Sequence, residues 1–230
     1  MRVVGRIRID RRSLLAVAAA CLALSCVVRP SAVASRDLNR VAPRLLRDGA
    51  IRESLRLAST EMVVAYELPG SSHSYLCVGR GPDSAGDYGL RLQLVTVEQG
   101  KVEMAFASRG MQDTYAVEPM MFVGTDRVLI VADTATEYSW GLVAFEFRGG
   151  QLRDLGELDV ARRGSDEPFE PENPLPFATA RIANGEYEVS FATDLVLHPG
   201  GVDERRLPVR DGRAHVFRHS AAGWNLLAED

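Results

Sequence analysis

Few side chains in this chain combine a reactive type with a suggestive spacing, and most of those are acids beside aromatic rings. Asp87 precedes Tyr88, and Glu137 opens the run Glu137-Tyr138-Ser139-Trp140. An aromatic face packs on a sugar ring or a peptide side chain while the neighbouring carboxylate accepts hydrogen bonds, so such pairs suit recognition. His198, in His198-Pro199-Gly200-Gly201, adds a polar group in a loop of turn residues. The same acids admit a second chemistry. Two carboxyls drawn from Asp87, Asp133 and Glu137, with His198 assisting, could act as the acid and base of a hydrolase if they converge with separated pKa values.

The fuller catalytic signatures are missing from the sequence. No glycine-rich loop leads into Lys and Ser/Thr, no Gly-x-Ser-x-Gly elbow occurs, and no run of alternating Asp forms a calcium loop. His215 and His219 are four apart, but in a strand four residues span roughly 13 Å, too far to share one metal. Cys77 lies in an apolar run with no histidine beside it and reads as a small buried hydrophobe. Lys101 is the only lysine, which leaves few candidates for Schiff-base chemistry. No catalytic residue, metal or cofactor is therefore expected. The binding candidates are Asp87, Tyr88, Glu137, Tyr138, Trp140 and His198.

These residues must be positioned by strands. Val128-Leu129-Ile130-Val131 is a wholly apolar run after the turn residues Gly124-Thr125-Asp126, and Met120-Met121-Phe122-Val123 precedes that turn. Residues 142–147 alternate up to Gly149-Gly150, a pair that supplies the positive φ of a tight hairpin, and Leu152, Leu155 and Leu158 return the chain. The same order stands one unit earlier: Tyr75-Leu76-Cys77-Val78 matches residues 128–131, Tyr88-Gly89-Leu90 matches Trp140-Gly141-Leu142, and Gly100 matches Gly150. A looser third copy runs through residues 177–182, Asn184-Gly185, residues 187–191, a long insertion, and then residues 214–217 and 224–227.

The expectation is an all-β antiparallel fold of three four-stranded repeats, at about 60–108, 115–160 and 177–228, ordered like propeller blades. A β-trefoil, a sandwich or a partly open barrel are the alternatives. In each repeat the loop between the second and third strands would emerge at the same end, gathering the six binding candidates on one loop face.

The flanking segments are plainer. Arginines at 2, 6, 8, 11 and 12 precede an apolar run at 14–28, whose 15 residues fall short of the roughly 20 that a bilayer helix needs. Residues 1–34 read as a signal peptide cut after Ala34, within Ala32-Val33-Ala34. Arg11-Arg12-Ser13-Leu14-Leu15 resembles a twin-arginine export signal, against an ordinary secretory one. Leu22-Ala23-Leu24-Ser25-Cys26 offers lipidation at Cys26 as the alternative to cleavage. Residues 35–59 read as a polar lead-in with a short helix from Pro43 to Gly49, or a strand at Leu55-Arg56-Leu57, and residues 60–230 as one domain. The proline-rich stretch 162–176 reads as a surface loop, since proline lacks the ladder donor. The insertion at 194–212, with Asp203-Glu204-Arg205-Arg206, reads as a hydrated loop.

Losing residues 1–34 removes six arginines and one aspartate, which takes the net charge from -4 to -9. That argues against nucleic acid, and against membrane attachment except through a lipid on Cys26. Only Cys77 would remain, so no internal disulfide braces the fold. The chain reads as an extracytoplasmic protein, bacterial periplasmic or secreted, or else lipid-anchored in the envelope. Its expected role is a non-catalytic module binding a carbohydrate, peptide or partner protein of the envelope, with the carboxylate-pair hydrolase as the alternative.

Overall fold

The computed structural model describes residues 35–49, 53, 61–81, 84–111, 114, 116–135, 140–163 and 171–227. Ala34, Cys26, residues 54–60, Glu137 and Tyr138 lie outside these residues. The described chain is almost wholly antiparallel β-structure. In chain order it begins with β1 (Arg36–Val41), then β2 (Arg44–Leu45), β3 (Glu61–Glu67), β4 (Ser74–Arg80), β5 (Leu90–Glu98) and β6 (Lys101–Ala107). β7 (Ala116–Val123), β8 (Val128–Ala135), β9 (Trp140–Arg148) and β10 (Gln151–Leu158) follow as a meander. Next come β11 (Val160–Arg163), β12 (Pro171–Glu172), a 3-10 turn (Leu175–Phe177), β13 (Ala178–Ala183) and β14 (Glu186–Phe191). β15 (Leu195–Leu197), β16 (Arg205–Leu207), β17 (His215–Ser220) and β18 (Gly223–Leu226) complete it.

Three sheets result. β2 to β6 form a five-stranded sheet in sequence order, and β12-β11-β15-β16 a small four-stranded one. The third has nine strands in the order β10-β9-β8-β7-β1-β13-β14-β17-β18 and curls until it is nearly closed. Its edge strands β10 and β18 lie side by side without a backbone ladder between them.

Strand burial follows the pleat. On β8, Leu129 and Val131 enter a core inside the curled sheet, with Leu38, Phe122, Phe191 and Phe217. Val128, Ile130 and Ala132 point the other way, into a second core shared with Leu76, Leu92 and Leu94 of the five-stranded sheet. A strand buried on both faces needs an apolar residue at every position, which is what residues 128–131 supply. β4 does the same: Leu76 and Val78 face the second core, while Tyr75 and Cys77 face a third, smaller one. Burial pushes the Cys77 thiol up to about 12, so it is inert at neutral pH.

The strands lie where the alternation places them, but their assembly differs from separate blades. β1, from the expected polar lead-in, ladders to β7 on one side and to β13 on the other, so the second and third groups are one continuous sheet. Leu38 drives this, because the inner core is incomplete without it. The helix expected from Pro43 does not form at Arg44 and Leu45. They pair with Glu67 and Tyr66, and Leu46 is buried while Leu45 is exposed, a period of two rather than 3.6. The insertion is likewise more than a hydrated loop. Leu195-Val196-Leu197 is buried and pairs with β11, which puts Val160, Leu195 and Leu197 over the inner core. Pro171 and Glu172 form an edge strand, the position that proline tolerates.

Antiparallel register gives the nine-stranded sheet two unlike ends. The turns after β7, β9, β13 and β17 all fall at one of them, the turn end; Gly149 and Gly150 close the β9–β10 hairpin with φ of 57° and 78°. The other, the loop end, holds Ala135, Trp140, the β10–β11 junction at Asp159 and the small sheet.

Candidate functional site

At the loop end, the edge of β10 and the start of β9 face residues 108–111 and Thr114 across a cleft of about 370 Å³. Arg109, Gly110, Thr134, Gly141, Glu157 and Asp159 line it. The wall at 108–111 is held by its own hydrogen bonds. Leu92 N–H donates to Ser108 Oγ at 3.1 Å, Met111 N–H to the Leu90 carbonyl at 2.8 Å, and Gly110 N–H to Asp87 Oδ1 at 2.6 Å. A Cβ at Gly110 would stand 2.1 Å from the Tyr88 carbonyl oxygen, so this close approach requires glycine.

The opposite wall is the outer edge of β10, the last strand of the nine-stranded sheet. β18 has four residues and β10 has eight, with both starting at the turn end. The stretch of β10 beyond β18, residues 156–158, therefore has no strand beside it among the described residues. A bulge lies between Asp154 and Gly156, where Asp154 Oδ1 accepts from Gly156 N–H at 2.7 Å. Bulges re-aim side chains and end pairing at sheet edges.

The sequence-derived candidates fare differently. Asp87 is spent on structure: beside the Gly110 bond it takes Arg91 Nη1 at 2.8 Å, and the Gly110 N–H together with Arg91 holds its carboxyl below the usual range. Tyr88 adjoins Gly110 and is partly exposed. His198 is joined to the cleft through Asp159. Its Nδ1 lies 2.6 Å from Asp159 Oδ2 and its N–H donates to the Asp159 carbonyl at 3.0 Å, with its backbone at φ 51°. Trp140 opens β9 opposite Ala135, one residue before Gly141 of the cleft. Asp87, Tyr88 and His198 thus each touch a residue of the cleft wall, Gly110 or Asp159, and Trp140 precedes Gly141, but none of the four lines the cleft.

Among the described residues, three acids are buried: Asp133, Glu146 and Glu188. Glu188 accepts Arg218 Nε at 2.8 Å and Arg181 Nε at 2.6 Å; burial alone would raise its pKa, but these bonds outweigh it and hold the carboxyl below the usual value. At the turn end, Glu146 accepts the Tyr187 hydroxyl and meets Arg127 at 3.5 Å and Arg153 at 3.4 Å. A second cleft of about 370 Å³ opens beside this network, which is already matched acid against base.

Asp133 has no such arginines. Desolvation, and then the charge of Glu118 directly across from it on β7, push its carboxyl up to about 7. Sequence reasoning weighed Asp133 but missed Glu118. The signal was present, because counting outward from the hairpin at residues 124–127 sets 118 opposite 133. Among the described residues no group of three or more His, Cys, Asp or Glu could hold a metal ion. Compared with known proteins, the chain matches no family model, no curated protein and no solved structure.

Proposed function

We propose that this chain is an exported, non-catalytic β module that binds an extended segment of a partner protein in the loop-end cleft. The observation that carries this reading is the β10 edge at residues 156–158, which no strand pairs among the described residues and which faces a fixed wall across a cleft of about 370 Å³. Unpaired main-chain donors and acceptors on a strand edge accept an added strand, and alternate side chains of that strand then enter the adjoining pockets. A sugar would instead draw on an aromatic platform, for which Tyr88 is the exposed candidate. The signal-like arginines and apolar run at residues 1–34 support export, and the four-strand groups at β3–β6, β7–β10 and β13, β14, β17, β18 support descent from one repeated unit.

The test is amide hydrogen exchange on the purified protein, with and without a nonapeptide selected from a random display library. Amides at 156–158 should slow on binding, and replacing the exposed Glu157 with Trp should weaken binding about tenfold without lowering Tm. Selection of sugars from an array, with no change at these amides, would sink the peptide reading.

The hydrolase reading keeps one specific support, the proton on Asp133 near neutral pH beside Glu118. Asp87, committed to Gly110 and Arg91, is a poor member of that pair. Turnover of model glycosides or peptides that disappears in Asp133→Asn would favour it.

A further inference from the structure

We infer that the turn end of the nine-stranded sheet carries a second binding site, for a small ligand whose carboxylate or phosphate group is held by Arg148 and Arg153. The site is independent of the loop-end reading. Its cleft of about 370 Å³ is lined by Arg127, Glu146, Arg148, Arg153, Tyr187 and His219 among others. Alternation sets these side chains on the inner face of the sheet. Glu146 and Arg148 share their side of β9 with Leu142 and Ala144 of the inner core, Arg153 stands directly across from Glu146, and His219 shares its side of β17 with Phe217. Tyr187 itself belongs to that core. The cleft is therefore the mouth of the space that the curled sheet encloses, a position where β-barrels commonly take ligands.

The acids of this mouth are matched, but its guanidinium groups are not used up. Arg127 is fixed from behind, with Nε and Nη2 each 3.0 Å from one carboxylate oxygen of Asp126. Arg148 meets Asp126 through Nη2 at 2.8 Å, and Arg153 meets Glu146 through Nη2 at 3.4 Å. Among the described residues, Arg148 and Arg153 thus each spend one nitrogen on an acid, while a guanidinium has five N–H donors in a planar fork. Glu188 shows what a finished tie looks like, with Arg181 and Arg218 drawn to 2.6 and 2.5 Å. Arg127 and Arg153 stay at 3.5 and 3.4 Å from Glu146, beyond the roughly 2.7–2.9 Å of a charge-assisted bond.

Access and charge agree with this. The Arg148 and Arg153 side chains are 54% and 63% exposed, so their remaining donors reach solvent at the rim. Three arginines line the cleft against two glutamates, Glu146 and Glu186, in a chain whose net charge is -4. Such forks match the paired oxygens of a carboxylate or phosphate, and Arg is the residue best suited to that contact. His219 reports on the site. Its ring bonds the Leu155 backbone, and burial, followed by the charge of Arg153, holds its pKa below the ordinary 6.5 against the opposing pull of Glu186, the Leu155 bond and Glu146. An anion on Arg153 would offset that charge and lift the value.

The experiment follows the His219 ring by NMR in the purified protein at about pH 6, near the ordinary value of the group. Inorganic phosphate, succinate or, as a control, chloride is added at constant ionic strength. Phosphate or succinate should give a saturable shift of the His219 signals and raise its pKa; the tighter of the two tells a phosphate ligand from a carboxylate one. The Arg148→Gln/Arg153→Gln double variant should bind the same anion about tenfold more weakly, with an unchanged circular-dichroism spectrum. Should the double variant fold poorly, Arg148→Gln alone, at an exposed residue, should still lower the affinity. A response to chloride equal to the other two, no saturable response to any of them, or an affinity unchanged in these variants overturns the inference. The loop-end cleft reading stands or falls separately, on the amides of residues 156–158.

Discussion

Glu188 and Asp133 are buried carboxyls on strands of one sheet, and the protein treats them in opposite ways. Glu188 lies between Arg181 and Arg218, with three hydrogen bonds at 2.8, 2.5 and 2.6 Å. Asp133 faces Glu118 and, among the described residues, no arginine. In the first case the arginines restore the hydration that burial removes, so the carboxylate is a structural tie. In the second nothing inside the described fold does so, and the group is left to hold a proton. The turn end repeats the first pattern with Glu146, Arg127, Arg153 and Tyr187, whereas the loop end sets Asp133 against Glu118 beside acids that are paired, Asp87 with Arg91 and Asp159 with His198. The sheet has two unlike ends: the cleft at the turn end is lined by acids already matched to arginines, and the cleft at the loop end by Asp154, Glu157 and Asp159 with one arginine, Arg109.

The difference has its largest expected effect in the pH dependence of stability. The pKa of Asp133 in the folded state, about 7, stands above its ordinary 3.8, so between these values the folded protein holds a proton that the unfolded chain releases. Stability should fall as pH rises through this window and stay low above it, by as much as about 4 kcal/mol. Asp133→Asn should remove the slope and raise stability at pH 8 while changing little at pH 4, as read by urea denaturation across the pH range. A variant less stable than wild type at pH 8 would break the contrast.

Glu188 should give the opposite sign. Its pKa is lowered, so its contribution is present above the ordinary carboxylate value and is lost as pH falls through the folded value. Glu188→Ala should cost about 3 kcal/mol at pH 7, because it leaves Arg181 and Arg218 without their acid. Equal stability of this variant and wild type at pH 7 would mean that the tie is idle. The smallest effect belongs to Tyr187→Phe, which deletes the hydroxyl bonded to Glu146 and should cost about 1 kcal/mol in the same denaturation series. A loss near that of Glu188→Ala would place the turn-end network on a par with the Glu188 tie.

Much of the strand order was legible beforehand. Residues 128–131 are apolar at every position, and residues 75–78 nearly so; each forms a strand buried on both faces. Gly149-Gly150 and Asn184-Gly185 mark hairpins that form. The candidate site was legible in part. Asp87 and His198 were singled out by type, but their roles came from partners 23 and 39 residues away in sequence, Gly110 and Asp159. The insertion was misread because three apolar residues among turn residues give too short a run to outweigh the polar composition around them.

The sequence by itself determined that this chain would build antiparallel strands and where most of them begin and turn, because alternation and turn chemistry act between near neighbours. Only the tertiary structure decided that β1 would join β7 to β13 in one curled sheet, since that choice depends on Leu38 completing a core drawn from distant strands. It also decided which acids are tied and which are left open. Glu188 meets Arg218 across 30 residues of chain, whereas the register of β7 and β8 sets a second acid against Asp133. A carboxyl's chemistry is set by the charges within a few ångströms of it, and in a β fold most of those come from elsewhere in the chain.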